Sequence, residues 1–203
     1  MTLANPFSET LVAATPLILT GLSVALAFKA GLFNIGAQGQ FIAGAIGASW
    51  VGFTFELPVV IHTLAAMSAA IIFAGLYGGL VGLLKARTGA HEVIVTIMLN
   101  YVALNFFTWL LRTPELLLEA NGGGTPKSDP PADTAMLPTL FGDMYKIHIG
   151  IFFAVAAAFI YWLLMDRSAI GYRFKMVGHN MSAARAAGIK VESTFIWAMA
   201  VSA

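Results

Sequence analysis

Few residues in this 203-residue chain are spaced for chemistry, and those that are point to recognition rather than to bond-making. The first group is the segment Arg167–Lys190, RSAIGYRFKMVGHNMSAARAAGIK, a polar basic loop expected to hold one small helix. Asn180 is a favourable helix N-cap, Ser182–Ala187 is rich in alanine, and Gly188 stands where a helix would stop. Arg173, Lys175, Arg185 and Lys190 surround about two helical turns. Such an element reads either as a docking helix for a soluble partner on the cytoplasmic side or as an ordinary basic loop of a membrane protein. The second group lies in an apolar run: Thr96 and Asn100 share a helical face with Ala103 and Phe107, and Tyr101, Asn105, Thr108 and Trp109 form a further stripe. Amides beside aromatics suit a neutral, hydroxyl-rich solute. The competing reading is helix–helix hydrogen bonding, worth about 0.6 kcal/mol per bond in membranes. The third group is Lys29–Gln40, which carries three glycines with Asn34, Gln38 and Gln40 and no acid. Those amides can pair backbone groups freed by a break in a helix, in a segment lining a cavity or in a tight interfacial turn.

Enzymatic readings fail on spacing. His91-Glu92 is followed by Val95 where a zinc-protease helix needs its second histidine, and no phosphate-binding loop for ATP occurs. His62, His148 and His179 are scattered and expected to be interfacial or loop-solvated. Cysteine is absent, so there is no thiolate metal site or disulfide framework. No catalytic residue, metal or cofactor is expected. No acid or lysine lies deep in a defined span, as a proton- or sodium-coupled carrier would usually require. Glu92 is expected at a helix start, where the dipole favours its charge. The net charge of +1 carries no argument for nucleic acid, and no such partner is expected.

The elements that must position these groups are membrane helices. Apolar residues make up 59% of the chain and charged residues 10%, against about 45–50% and about 25% in soluble domains. The N-terminus, MTLANPFSET, has no basic signal-peptide region. Five apolar segments are long enough, or nearly so, to span a bilayer: Leu11–Phe28, Gln38–Phe55, Ile61–Leu84, Val93–Leu111 and Ile147–Met165. A sixth runs from Thr194 to Ala203, ten residues, so the chain is expected to stop inside a helix. All read as helices, since an open strand cannot satisfy its edge in lipid. With the loops around Lys29, Lys85–Glu92 and Arg167–Glu192 on one side, that side holds eight of the eleven cations; Arg112, Lys127 and Lys146 remain on the other. The cation-rich side is expected to be cytoplasmic. The N-terminus then starts outside, and a preceding first helix is expected. Thr113–Lys146 contains NGGGTPKSDPPAD, read as a flexible external loop or as a contact or gating surface for an extracytoplasmic partner. Gly75/Gly79 and Gly78/Gly82 make two overlapping G-x-x-x-G pairs, expected to serve tight internal packing or a subunit interface.

Three motifs then carry a family likeness: Phe33–Gln40 (FNIGAQGQ), Glu92–Tyr101 (EVIVTIMLNY) and Gly178–Ile189 (GHNMSAARAAGI), in this order and spacing. The chain resembles the permease subunits of bacterial ABC importers for simple sugars and nucleosides, most closely the nucleoside branch, over essentially its whole length. The resemblance implies an all-α polytopic membrane protein: about five full spans, a truncated sixth and a cytoplasmic coupling helix. Residues 1–203 would be a single, partial permease domain, the second through early seventh of about ten spans. It implies multi-pass insertion in the inner (cytoplasmic) membrane, with three protein partners: an ATP-binding subunit that hydrolyses ATP, an extracytoplasmic solute-binding protein, and a second permease subunit. Gly178, His179, Asn180, Ser182, Ala183, Ala184, Arg185 and Gly188 fall on the coupling helix that docks on the ATPase. Asn34, Gln38, Gln40, Thr96, Asn100 and Asn105 are the candidate solute-path residues. Family members often carry Pro-Glu at Met181-Ser182, Tyr at Ala186 and Glu at Gln38, so a specific salt bridge to the ATPase does not carry over, whereas the docking role does. A secondary carrier or channel for a small neutral solute is the alternative function. An intramembrane enzyme has no nucleophile–base or metal spacing to support it.

Overall fold

The computed structural model describes residues 4–113, 127–128, 130–135 and 149–203. Among these described residues, eight α-helices follow in order: α1 (Ala4–Lys29), α2 (Ala37–Thr54), α3 (Val59–Thr88), α4 (Glu92–Arg112), α5 (Gly150–Arg167), α6 (Ala169–His179), α7 (Met181–Ala186) and α8 (Val191–Ser202), with a 3-10 turn at Asp133–Ala135. No strand occurs among the described residues. Four helical stretches are long and apolar enough to cross a membrane: Ser8–Lys29, Val59–Thr88, Glu92–Arg112 and Gly150–Arg167. Leu17, Val60, Ile71 and Leu76 are each 70% exposed. In water that much apolar surface would aggregate; in a bilayer it is the lipid-facing side. The expected second span forms as α2, but it is not one of the four. Its first turn carries Gln38 and Gln40, and those amides lower its hydropathy. It packs chiefly on α3, where Gly44 lies against the Ala70 carbonyl and Gly47 against Ala69 and the Phe73 ring.

The glycine pairs of α3 meet α8 within the chain. A Cβ on Gly78 would lie 2.5 Å from the Met199 carbonyl oxygen, and one on Gly82 would lie 2.6 Å from Ile196 Cα. Gly75 faces Ala200 from the same stripe. Without a hydrophobic drive between helices in lipid, such backbone approach is what holds them together.

The basic segments gather at one end. Lys85 Nζ lies 2.6 Å from Glu92 Oε2 and 5.4 Å from the centre of the Phe195 ring. Lys175 pairs with Asp166 at 2.5 Å and Arg185 with Glu192 at 2.8 Å. Glu92 begins α4, as expected. At the opposite end, His62, expected to be interfacial or loop-solvated, stands in the first turn of α3 and is not solvated. It is fully buried, its Nδ1 2.8 Å from Thr134 Oγ1 and its Nε2 3.1 Å from the Val51 carbonyl. A carbonyl only accepts, so Nε2 donates and Nδ1 receives the threonine hydroxyl proton. The Ala132 amide also donates to the Gly52 carbonyl at 2.9 Å. Part of the external segment is therefore pinned to the ends of α2 and α3. The rest of Thr113–Lys146, most of its glycine-rich stretch, and His148 lie outside the described residues.

By the positive-inside rule the basic end is expected on the cytoplasmic side. Cysteines at Ser128 and Ser182 are expected to react from opposite faces of the membrane. An impermeant maleimide that labels both in intact cells refutes this orientation.

Candidate functional site

The basic end is built from helix caps. Ser168, between α5 and α6, accepts the Gly171 amide at 3.1 Å, and a Cβ on Gly171 would meet the backbone of Leu164 and Met165. The expected polar loop is thus a helix as far as His179. Phe174 and Val177, three apart, are each 2% exposed and form its buried face, while its cations point away. Asn180 accepts from Ser182 at 2.9 Å and from Ala183 at 3.0 Å, capping α7 as expected. At the other end Gly188 has φ +80°; its amide donates to Arg185 and that of Ile189 donates to Ala184, both at 3.0 Å. That pair of bonds is a Schellman stop.

The residues expected to form a coupling helix divide by face. Ser182, Ala183 and Arg185 are exposed, as are His179, Asn180 and Gly188. Ala184 is fully buried in the core that joins α1, α3, α5, α6 and α8, so it anchors α7 and cannot be a contact for a partner. Gly178 also acts inward. A Cβ there would strike the Lys29 carbonyl and lie 2.8 Å from the Gly31 amide nitrogen. α1 ends at this point in its own Schellman stop: Gly31 has φ +73°, and the Leu32 amide donates to Ala27 at 2.9 Å. The end of α6, which leads into α7, is therefore pressed backbone to backbone on the end of a spanning helix.

Between the stop of α1 at Leu32 and the cap of α2 at Gly36, residues 33–35 lie outside any helix, and side chains take the place of helical hydrogen bonding. Asn34, 2% exposed, donates to Gln40 Oε1 at 3.0 Å and accepts the Gly36 amide at 2.8 Å. Ser202 of α8 lies 3.4 Å from the same amide group. Asn100 accepts the Gly39 amide at 2.8 Å and donates to the Ile35 carbonyl at 2.9 Å. Gly36, the N-cap of α2, supplies no side chain, so Asn100 of α4 caps α2 across the fold. Asn100 is eight residues into α4, about 12 Å along it, which puts irregular backbone at membrane depth inside protein. Thr96 is buried against Gly36 and donates to the Val93 carbonyl at 3.0 Å. Gln38 is exposed, and Asn105 is exposed and bonded to its own helix at the Tyr101 carbonyl. The fold thus joins Asn34, Gln40, Thr96 and Asn100 around one connection and leaves Gln38 and Asn105 outside that network.

A cavity of about 440 Å³ opens beside this connection, between α1, α2 and α3. Its polar lining comes from Thr15, Thr20, Ser23 and Gln40. The Ser23 hydroxyl is buried and lacks a hydrogen-bond partner. Sequence reasoning passed over Ser23, Thr15 and Thr20 because single hydroxyls in an apolar helix usually bond their own backbone, as Thr15 and Thr20 do here. No cluster of metal-binding side chains occurs among the described residues.

A family model described as the permease component of the branched-chain amino acid transport system matches residues 7–203. A guanosine ABC transporter permease protein of Bacillus subtilis is 39% identical over 96% of this chain and 55% of its own length. A glucose ABC transporter permease protein of Haloferax volcanii is 35% identical over 97% of this chain and 54% of its own. A nucleoside ABC transporter permease protein of Lactococcus lactis is 34% identical over 98% of this chain and 56% of its own. The chain spans about half the length of these curated relatives. No solved structure matches it significantly. The apolar spans and the family match agree: the chain belongs to the family of transport-system permease components and is an integral protein of the cytoplasmic membrane.

Proposed function

We propose that this chain is the membrane-spanning part of an ATP-driven importer for a nucleoside or a simple sugar. ATP is hydrolysed on a separate ATP-binding subunit, a solute-binding protein delivers the solute from outside, and a second permease subunit completes the path. The observation that carries the reading is the mounting of α7. A doubly capped helix of six residues presents Ser182, Ala183 and Arg185 outward. Behind it, Gly178 rests on the end of α1, and Ala184 sits in the core shared with α8. A push on α7 therefore reaches two apolar helices without passing through a flexible link. Differential contact with the ATPase in its two states would bias the arrangement of those helices, which is what coupling requires. The solute path is assigned to the α1–α2 connection and its cavity, where Gln40 touches both the Asn34 amide and the open space. A volume of about 440 Å³ falls within the roughly 300–1,000 Å³ of small-molecule sites. The relatives' names supply the two solute classes.

The test puts bulk on the outward face. In the full-length permease, Ala183→Trp is expected to abolish ATPase association and labelled-guanosine uptake with membrane abundance unchanged, while Ala183→Ser keeps both. Gly188→Val, whose side chain meets open space, adds only the strain of a left-handed conformation, about 1–2 kcal/mol, and is expected to weaken association partly. Full association and uptake with Ala183→Trp would remove the docking role. Competition by excess guanosine or excess glucose separates the two solute classes, and competition by neither excludes both.

A further inference from the structure

A second cavity, of about 760 Å³, lies between α5/α6 and α7/α8 at the cytoplasmic end. One wall is a single stripe of α8 and its cap: Lys190, then Ser193 and Thr194, then Trp197, then Val201. These fall at helical spacing, so they run one above the other along about 16 Å. Leu164 of α5 and Ile170, Arg173 and Phe174 of α6 line the same space, so Arg173 shares it with Lys190 at the start of α8. The stripe changes character with depth: cations first, hydroxyls next, an indole below them, and aliphatic carbon at the bottom. Both Trp197 and Val201, which line this space, are exposed, at 62% and 48%.

The charges lining the cavity are uncompensated. Of the cations in Arg173–Lys190, Lys175 is held by Asp166 and Arg185 by Glu192. Among the described residues no acid pairs with Arg173 or Lys190. Within 173–190, the two cations without an acid are thus the two that line the cavity. The outward face of α7 points into the cytoplasm, whereas this groove runs down α8 into the apolar layer, so its lower half calls for an occupant soluble in lipid. Its upper half calls for an anion.

We propose that this groove binds an anionic phospholipid of the inner leaflet, with its phosphate between Arg173 and Lys190, its ester oxygens near Ser193 and Thr194, and an acyl chain along Trp197 and Val201. Basic pockets between membrane helices on the cytoplasmic side suit anionic headgroups, and an indole suits the level of the membrane interface. Bound there, the lipid would bridge α6 to α8 beside the docking helix. The proposal is independent of which solute is carried.

The test is fluorescence quenching of Trp197, read as the difference between the parent and Trp197→Phe. The purified chain is placed in phosphatidylcholine nanodiscs containing a minor fraction of brominated phosphatidylglycerol or brominated phosphatidylcholine. The anionic lipid is expected to quench at a lower mole fraction, by roughly fivefold per cation. Arg173→Gln with Lys190→Gln should erase that preference while leaving quenching by the zwitterionic lipid. Lys175→Gln with Arg185→Gln, which removes cations already paired with acids, should preserve it; circular dichroism confirms that each variant is folded. Equal quenching of the parent by both lipids overturns the proposal, because the contact is then ordinary bilayer. Quenching by neither overturns it too, since the groove is then covered by protein, an ATPase surface or a neighbouring helix. A preference lowered equally by both double variants reduces the effect to general surface charge and also overturns it.

Discussion

Gly178→Leu is expected to lower membrane abundance several-fold and to abolish a monodisperse elution peak in detergent. A Cβ at this position would meet only backbone: the Lys29 carbonyl, the Gly31 nitrogen at 2.8 Å and the Ala30 carbonyl carbon at 3.0 Å. Backbone cannot turn aside as a side chain can. The α1 side is further held by the Gly31 amide bonded to Phe28 at 3.0 Å and the Leu32 amide bonded to Ala27 at 2.9 Å. Gly31 cannot move in compensation, because its own Cβ position lies 2.9 Å from Gly178 Cα and its φ is +73°. The only relief is for α6 to lift from α1, which uncovers Ala27, Ala30 and Val177, none more than 2% exposed. Overpacking of this kind costs about 1–3 kcal/mol, and a loss of about 1–2 kcal/mol is enough to change cellular abundance several-fold. Gly21→Leu in α1 is the control, because nothing lies within 4 Å of its Cβ position. Wild-type abundance for Gly178→Leu would show that α6 and α1 do not meet in this way.

Asn100→Leu is expected to reduce abundance and uptake together. The average interhelical hydrogen bond in membranes, about 0.6 kcal/mol, argues for a small effect. The partners here are different in kind. They are the Gly39 amide, in the first turn of α2, and the Ile35 carbonyl, in a stretch outside any helix. Neither has a second partner of its own helix to fall back on. Leaving a buried polar group unpaired costs about 1–3 kcal/mol in proteins generally, and more in hydrocarbon, so the amide of buried Gly39 alone outweighs the average bond, while the Ile35 carbonyl, on an exposed residue, adds less. Asn100→Asp keeps the acceptor and loses the donor, and should fall between parent and leucine variant in abundance. Quantitative immunoblotting of membranes beside labelled-guanosine uptake is the measurement. Uptake lost at full abundance would instead assign Asn100 to the solute path.

Both effects arise from contacts between segments distant in the sequence, and this is where sequence reading ran out. The caps of α7 were legible because Asn180 and Gly188 act within three residues of the groups they satisfy. The G-x-x-x-G pairs were legible as a packing face, yet nothing local said that α8 would be the helix packed there. α6 resembles a polar loop in sequence because Arg173, Lys175 and His179 interrupt its apolar residues. The buried alternation of Gly171, Phe174 and Val177 behind Ser168 was the available signal. Ala184 and Gly178 look like neighbours in a small-residue docking motif, but the fold turns both inward, one to fill the core and the other to let two backbones touch. His62 looked like a surface histidine because its partners, Val51 and Thr134, are 11 and 72 residues away.

By itself, then, the order of residues determined that the chain is helical and membrane-embedded, with its basic segments and a capped short helix on one side. Those properties follow from hydropathy over about twenty residues, the charge of each loop, and hydrogen bonds spanning one helical turn. Only the tertiary structure decided which polar groups remain free to act. Asn34 and Asn100 are taken up by the backbone of the α1–α2 connection, the Ser23 hydroxyl is left without a partner beside a cavity, and Arg173 and Lys190 stay unpaired along a groove. A polar group's availability depends on which distant donors and acceptors the packing brings within about 3 Å of it, and no local pattern contains that information.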